Sequence, residues 1–400
     1  MLELFAALIL GLATGIITGI TPGLHINLVA VLVLSFSTLF LQYVSPLFLS
    51  VYIISMAITH TFLDTLPSIY LGAPDEGQVL NALPGHRLLM RGQGHLAVIY
   101  NLLGALGSII LSILLFPVFI AGMRFLSPLV EGVIAYLLIA IVIYMIWREK
   151  EKRWKSLVLF LLAGSLGLAV LGNSHLQQPL FPLLSGLFGI SLLVVSINEK
   201  TAIPKQHLQI HSTLSRKNLT KSVTAASGMG FVAAFLPGFG SSQAAILATN
   251  VVGDIGDEGF ISLVAGINTA NMLISIATAY ALHKSRNGAI LIVNKLLENI
   301  TWESLLIFVG VSLLAAGIAT LITLRLSKLF AAFIVKVNYR NLVLGIIFFI
   351  ALLTAYFDSW MGLLILLVST AIGLLASSWQ VAKNHLMGCL MVPVILYFML

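Results

Sequence analysis

The hydrophobic and polar positions of this chain alternate in long blocks, with apolar runs separated by short polar stretches. The apolar runs lie near residues 3–21, 26–42, 47–71, 96–121, 129–147, 156–173, 180–197, 222–237, 241–253, 260–282, 302–325, 341–357, 361–377 and 386–400. Runs of roughly 18 or more apolar residues have the length that a helix needs to cross a bilayer. The run at 157–171 lacks the alternation typical of membrane β-barrel strands. The pattern therefore predicts an all-α polytopic membrane protein.

Composition supports this class and excludes a soluble domain. Hydrophobic residues make up 59% of the 400 residues and charged residues 9%, with a mean hydropathy of +1.07. Soluble domains carry about 25% charged residues. The net charge of +7 comes mostly from short loops, where basic residues orient a chain in the cytoplasmic membrane, so we predict no nucleic-acid partner. The single cysteine, Cys389, excludes an internal disulfide and a cysteine-based metal site, and we predict no cofactor.

Two Pro-Gly pairs interrupt the apolar runs at equivalent places. Pro22-Gly23 lies in ITGITPGLHINL and Pro237-Gly238 in AAFLPGFGSSQA, each between the first and second run of a set of seven. The pairs lie about half a chain apart, which predicts two transmembrane repeats, 1–197 and 222–400, joined by a cytoplasmic linker at 198–221. The alternative is that both are ordinary kinks, because Pro and Gly are frequent in membrane helices.

Loop charges predict how the two repeats are oriented. The basic stretches at 148–155, 198–222 and 325–340 should be cytoplasmic by the positive-inside rule. The four runs between the second and third stretch fit this rule if all cross the membrane, or if the first two form a re-entrant hairpin. The short, small-residue run after Pro237-Gly238 favours the hairpin. Each repeat is then a hairpin plus about five transmembrane helices, and the repeats have inverted topology, which is typical of secondary transporters.

Residues around the two breaks are the predicted substrate site. Each Pro-Gly pair ends a helix and frees backbone N–H groups, and the positive end of the next helix favours an anion or a carboxylate. Hydroxyl and amide side chains nearby, including Thr18 and Gln243, add hydrogen-bonding groups without a fixed charge. We predict substrate contacts from Thr21, Pro22, Gly23, His25, Asn27, Pro237, Gly238, Gly240, Ser241, Ser242 and Asn271.

The third run of each half carries further polar residues at membrane depth. His60 and Asp64 lie four residues apart and share a helix face. An ionisable residue inside a membrane indicates a functional site, so we predict that Asp64, His60, Thr61, Asn268 and Thr269 hold the coupling ion. In the alternatives, His60 is a packed polar residue and Asp64 lies near a helix end where it reaches water.

Three stretches resemble the tripartite tricarboxylate transporter permease family of the TctA type. These are GLATGIITGITPGLHINLVAVLVL, SIYLGAPDEGQVLNALPGHRLLMRGQG, and the pair FLPGFGSSQAAILATNVVGD and VAGINTANM. The resemblance implies a permease that imports di- or tricarboxylates with Na⁺ or H⁺, together with a small membrane subunit and an extracytoplasmic binding protein. His25 replaces a more usual small residue, and the acidic residue expected before Ala270-Asn271 is absent, which indicates a divergent, short, archaeal-type branch.

These features predict a secondary permease for an organic anion. The alternative is a translocase for a lipid-linked phosphate, because a phosphate would suit the same helix N-termini and either Arg87 or Arg91. The chain has no GxSxG, HExxH or Walker motif, so we predict that it is not an enzyme. A homodimer and contacts with membrane lipid complete the expected partners.

Overall fold

The computed structural model describes residues 2–22, 24, 26–73, 76–130, 133–149, 151–174, 176–198, 203–208, 213–236, 239–285, 287–335 and 339–400. Four predicted site residues, Gly23, His25, Pro237 and Gly238, lie outside the described residues. The described part of the chain is helical and contains no strand, so the predicted all-α class is confirmed.

The helices follow one another with short connections. In chain order they are α1 (Leu2–Ile20), α2 (Ile26–Ser35), α3 (Ser37–Phe40), α4 (Pro46–Leu63), α5 (Ala82–Met90), α6 (Gly94–Leu114), α7 (Phe116–Val130), α8 (Ile134–Arg148), α9 (Arg153–Leu171), α10 (Leu180–Leu184), α11 (Ser191–Asn198), α12 (Arg216–Phe235), α13 (Ser241–Val252), α14 (Gly256–Leu282), α15 (Gly288–Leu297), α16 (Trp302–Ile334), α17 (Tyr339–Ser378) and α18 (Gly388–Met399). Single turns of π-helix at Pro67–Leu71 and Ser185–Ile190, and of 3₁₀-helix at Glu76–Asn81 and Lys383–Met387, complete the helical structure.

Seven helical stretches among the described residues are long and apolar enough to cross a membrane. They are Leu2–Ile20, Pro46–Leu71, Gly94–Leu114, Arg153–Leu171, Gly256–Leu282, Trp302–Ile334 and Val343–Ser378. Shorter apolar helices, such as Ala135–Arg148 and Lys383–Met399, accompany them. The chain is therefore a multi-pass membrane protein, as its composition predicts.

The boundaries of several elements differ from the predicted runs; the run at 26–42, for example, is divided between α2 and α3. The run at 96–121 is divided between α6 and α7, because the helix is interrupted at Leu115. The runs at 341–357 and 361–377 form one element, α17, which is sharply kinked at Ser359 (φ 56°, ψ −149°). The helix α15 is not predicted at all, since its ten residues are fewer than a membrane span needs.

In the first half, α1 lies parallel to α4. The Glu3 carboxylate accepts the Ser45 hydroxyl at 2.9 Å at one end of the pair, and the Ser55 hydroxyl donates to the Leu8 carbonyl at 2.9 Å further along. A Cβ on Gly15 would lie 2.6 Å from Cβ of α4 residue Thr59, so this close approach requires glycine. The short α2 leads the chain back from the end of α1 towards the start of α4, and it packs against α15.

In the second half, α12 lies parallel to α14 in the same way. The Ser222 hydroxyl donates to the Gly259 carbonyl at 2.9 Å, and the Thr278 hydroxyl donates to the Ala234 carbonyl at 3.3 Å. The short α13 follows α12 as α2 follows α1. Each half thus begins with the same order of elements, as a repeat would produce. The inverted relation of the halves and the re-entrant character of the hairpins stay predictions.

Ionic contacts gather several polar loops at one face of the helical bundle. Arg87 pairs with Asp257 at 3.3 Å, and Lys152 donates to the Gln380 carbonyl at 2.9 Å. Glu149, beside Lys152 in the basic loop, contacts His385 at 3.4 Å. We call the surface that carries these residues the basic face; it includes loops that the positive-inside rule assigns to the cytoplasm.

Candidate functional site

A cavity of about 320 Å³ lies between the two halves, and described residues that flank both helix breaks line it. Its volume is in the range of small-molecule sites, which begin at about 300 Å³. Apolar side chains such as Leu236 and Phe239 form part of its wall. The polar residues that line it are Asn27, His60, Thr61, Asp64, Ser241, Gln243, Asn268, Asn271, Ser275 and Asn287.

Three helix N-termini border this cavity. Asn27 lies in the first turn of α2, Ser241 begins α13, and Asn287 caps α15, and all three line the cavity. The Asn287 side chain accepts the backbone N–H of Ala289 at 2.9 Å, which is the usual role of asparagine at this position. The first N–H groups of a helix lack intrahelical acceptors, and the helix dipole makes this end positive. The arrangement favours a negatively charged ligand.

The carboxylate of Asp64 lies at the C-terminal end of α4 and is only 2% exposed. One carboxylate oxygen, Oδ1, accepts Gln78 Nε2 at 3.0 Å, and the other, Oδ2, accepts Asn268 Nδ2 at 3.1 Å. In both bonds the amide N–H is the donor, and each carboxylate oxygen is an acceptor. Asn268 belongs to the second half of the chain, so Asp64 joins the two halves at the cavity.

Gln78 holds Asp64 through a buried network of amide side chains. Its side-chain oxygen, Oε1, accepts Asn81 Nδ2 at 2.8 Å and Asn101 Nδ2 at 3.1 Å, and all three amide residues are fully buried. With its oxygen occupied by two donors, the Gln78 amide can only present its NH₂ group to Asp64. The network therefore fixes both the position of Gln78 and the direction of its hydrogen bond.

The other predicted ion ligands, His60, Thr61 and Thr269, make hydrogen bonds between neighbouring helices. His60 Nδ1 lies 3.1 Å from the Thr18 hydroxyl, across the α1–α4 contact. The Thr269 hydroxyl donates to the Thr61 hydroxyl at 3.4 Å, across the contact between the halves. Thr61 and His60 line the cavity, whereas Thr269 is fully buried one layer behind it.

On the second-half side, the start of α13 presents hydroxyl and amide groups. Asn271 Nδ2 donates to the Ser241 hydroxyl at 3.2 Å. The Gly240 N–H donates to Gln243 Oε1 at 3.0 Å, which orients the Gln243 amide. Its NH₂ nitrogen, Nε2, is buried and has no hydrogen-bond partner among the described residues. Because Gln243 lines the cavity, this nitrogen is a donor available to a ligand.

The structure brings most of the described site residues to one cavity. The predicted residues that line it are Asn27, His60, Thr61, Asp64, Gly240, Ser241, Asn268 and Asn271. Thr21, Pro22 and Ser242 are not among its lining residues, although all three adjoin the breaks. Gln78, Ser275 and Asn287 were not predicted. The Asn-Gly pair at 287–288 was the available signal for Asn287, since asparagine is a preferred helix cap.

A multi-pass helical protein in which broken helices enclose a polar cavity belongs to the class of membrane transport proteins. The comparison with known families identifies the particular one. The model of the tripartite tricarboxylate transporter TctA family matches residues 5–388, and the chain belongs to this family. The resemblance noted in the sequence is therefore confirmed, and membership of a transporter family agrees with the expectation that the chain is not an enzyme.

The curated proteins include one relative that spans the whole chain. An uncharacterised protein of the archaeon Methanocaldococcus jannaschii is 31% identical over 401 residues, which cover 98% of each chain. This relative supports the predicted archaeal-type branch of the family. No solved structure matches the chain.

Proposed function

We propose that this chain is the permease for an organic anion of the di- or tricarboxylate class, coupled to Na⁺ or H⁺. Family membership supports a tricarboxylate transporter permease, and the geometry of the cavity supports the finer statement. The observation that carries the proposal is the meeting of three helix N-termini and one buried carboxylate at a single cavity.

The anion would bind at the helix N-termini. Backbone N–H groups at the starts of α2 and α13 offer hydrogen bonds to carboxylate oxygens, and α15, whose Ala289 and Ile290 N–H groups bond to Asn287, adds the positive potential of its N-terminus. Gln243 Nε2 and the hydroxyl of Ser241 add side-chain donors at the start of α13. Several carboxylate groups on one substrate could use different helix ends, which suits a di- or tricarboxylate better than a monoanion.

The coupling ion would bind at Asp64. Its buried carboxylate offers a negative charge beside the cavity. The hydroxyl of Thr61 and the amide oxygen of Asn268 are neutral ligands close by. Thr269 orients the Thr61 hydroxyl, and His60, which contacts Thr18, lines the same cavity. We propose that Na⁺ or a proton neutralises Asp64 when the anion binds.

Transport would require the cavity to open alternately to the two sides of the membrane. The helix α13 and the turn Glu76–Asn81 lie between the cavity and the basic face, so we propose that this layer rocks against the flanking helices. Transporters of this family are tripartite. A small membrane subunit and an extracytoplasmic binding protein are therefore the proposed partners, with homodimerisation as a further possibility for the assembled complex.

No observation favours the lipid-phosphate alternative. Arg87, one of its two proposed ligands, is paired with Asp257 and lines a separate cavity at the basic face. The family assignment gives no support to lipid translocation.

The test is binding to the purified protein, measured by thermal shift and calorimetry with citrate and related carboxylates, with and without Na⁺. A ligand at a hundredfold excess over its dissociation constant stabilises the folded protein by about 2.7 kcal/mol. We expect carboxylate binding to depend on Na⁺ or pH in the wild type and to lose this dependence in Asp64→Asn. The matched control is Asp358→Asn, which changes another buried carboxylate that binds the backbone N–H groups of Gln177 and Gln178 outside the cavity. Equal cation dependence in wild type and Asp64→Asn would refute the assignment.

A further inference from the structure

A second cavity of about 440 Å³ opens at the basic face. It lies between α5, the loop before α14 and the turn Lys383–Met387. Arg87, Asp257 and Lys383 line it, so it belongs to the surface where loops from both halves meet.

This cavity and the central cavity share the same separating elements. Ser241, at the start of α13, lines the central cavity, and Thr249, two turns later, lines the second one. In the turn Glu76–Asn81, Gly77 faces the central cavity and Val79 the second one. A single layer, formed by α13 and this turn, therefore separates the two cavities, and a ligand that left the central cavity through this layer would enter the second.

Two cationic side chains, Arg87 and Lys383, and two carboxylates, Asp254 and Asp257, line the second cavity, and they differ in the partners that they have. Asp257 is paired with Arg87 at 3.3 Å, and the Asp254 carboxylate accepts the backbone N–H of Gly256 at 3.0 Å. The Lys383 ammonium donates to the Ser191 hydroxyl at 3.1 Å, and within the described ranges it has no carboxylate partner. A partly buried ammonium that bonds only to a hydroxyl retains donors for an anion.

We propose that the second cavity is an anion-binding vestibule at the basic face, in which Lys383 binds a carboxylate group of a di- or tricarboxylate. Its position behind α13 makes it the point through which a carboxylate passes between the central cavity and the basic face. The direction in which the anion moves and its chemical identity rest on the proposed function. The existence of the anion site rests only on the cavity and on Lys383.

Pyridoxal 5′-phosphate tests the site directly, because it is an anionic aldehyde that forms an imine with a lysine amine and is fixed by borohydride. The full-length protein in detergent is labelled with and without citrate, and modified peptides are quantified by mass spectrometry. Lys217 is the internal control: it is exposed in the first turn of α12 and lines neither of the two cavities. At citrate concentrations that fill the site to about 90%, labelling of Lys383 should slow about tenfold, and labelling of Lys217 should hardly change.

Acetate and chloride at the same ionic strength separate binding from screening of the reagent's charge. Protection by citrate alone supports the vestibule, whereas equal protection by all three anions overturns it, as does a Lys383 that the reagent never labels. In a second measurement, a cysteine is introduced at Thr249, next to the site, and its modification by a thiol reagent is followed with and without citrate. Lys383→Gln should weaken the protection of this cysteine by citrate, and Lys383→Arg should restore the protection. Unchanged protection in Lys383→Gln would also overturn the proposal.

Failure of the proposed vestibule can be distinguished from failure of the proposed function. Labelling of Lys383 is repeated in Asp64→Asn, which changes only the central cavity. Protection that persists there while cation-dependent binding is lost places an independent anion site in the second cavity. Protection without any cation-dependent binding in the wild type would preserve the vestibule and refute the proposed coupling at Asp64.

Discussion

Replacing Gln78 by methionine should remove the support of the Asp64 carboxylate while keeping the side chain's length. Gln78 makes three hydrogen bonds at a fully buried position: it donates to Asp64 and accepts from Asn81 and Asn101. Methionine fills a similar volume and makes none of them. The change therefore tests whether the amide network, rather than packing alone, positions the carboxylate.

The expected loss of stability depends on which hydrogen bonds the three partners of Gln78 retain after the substitution. Asp64 loses a charge-assisted hydrogen bond, worth about 1.5–3 kcal/mol, but retains the bond from Asn268. Asn81 retains the Ile261 carbonyl at 3.3 Å, whereas the Asn101 NH₂ group loses its described acceptor, which costs about 1–3 kcal/mol. Hydrogen bonds measured inside a membrane protein average only about 0.6 kcal/mol, because the membrane-inserted unfolded state finds partners too. We therefore expect a total of about 2.5–4 kcal/mol, in the lower part of the summed range of about 2.5–6 kcal/mol.

A double-mutant cycle with Asp64→Asn separates this network from general packing. Unfolding is followed by circular dichroism as denaturing detergent is added to mixed micelles. In the Asp64→Asn background, Gln78→Met should cost at least about 1 kcal/mol less, because the charged acceptor is already gone. The control Gln42→Met makes the same chemical change at an exposed loop position and should stay within about 0.5 kcal/mol of wild type. Additivity of the two mutations within about 0.5 kcal/mol would show that Gln78 does not hold the charged carboxylate.

Three further substitutions probe the packing around the site. Gly77→Ala would place a Cβ on the Asn268 side chain, so we expect weaker cation dependence of carboxylate binding in calorimetry; an unchanged dependence would contradict the tight contact. Gly104→Ala would place a Cβ on a backbone carbonyl of α14, and overpacking should destabilise the protein by about 1–3 kcal/mol in the same unfolding assay, unless the two helices are further apart than described. Arg87→Gln removes the ion pair with Asp257, whose side chains are 51% and 27% exposed, and should cost less than about 1 kcal/mol at moderate salt; a larger loss would mean that the pair holds the basic face together.

Much of the central cavity is predictable from the sequence, because Pro-Gly pairs and ionisable residues stand out in apolar runs without knowledge of the tertiary structure. A Pro-Gly pair inside an apolar run can interrupt the helical hydrogen-bond ladder, and in this chain the residues after Pro22-Gly23 and Pro237-Gly238 begin the new helices α2 and α13 with their first N–H groups. This reasoning finds Asn27 and Ser241. Ionisable groups are unfavourable inside a membrane and are retained where they have a function. His60 and Asp64 can therefore be predicted as site residues without knowledge of their partners.

The remaining features depend on contacts that the chain forms only when folded. Gln78 lies in a polar stretch between apolar runs, and its composition would suit an aqueous loop equally well; only the packing of Glu76–Asn81 against α14 makes it a buried residue. The helix α15 is too short to be recognised by the length of a membrane span, yet its N-terminus borders the cavity. In both cases the signal lies in tertiary structure, which apolar periodicity does not encode.

A buried carboxylate and three helix N-termini place groups of opposite charge at the central cavity. The carboxylate of Asp64 supplies the negative charge, while α2, α13 and α15 present positive N-terminal ends. A cation at the first position and an anion at the second would attract each other; two unit charges about 6 Å apart do so by about 3 kcal/mol at an effective dielectric constant of about 20. Coupling of this size lies at the upper end of what is usual between linked sites, and it acts equally in both directions. The arrangement thus explains physically how one small cavity, with mostly neutral side chains, could make the binding of an anion depend on a cation. The charge of each bound ion attracts the other ion, so each is bound more tightly when both are present.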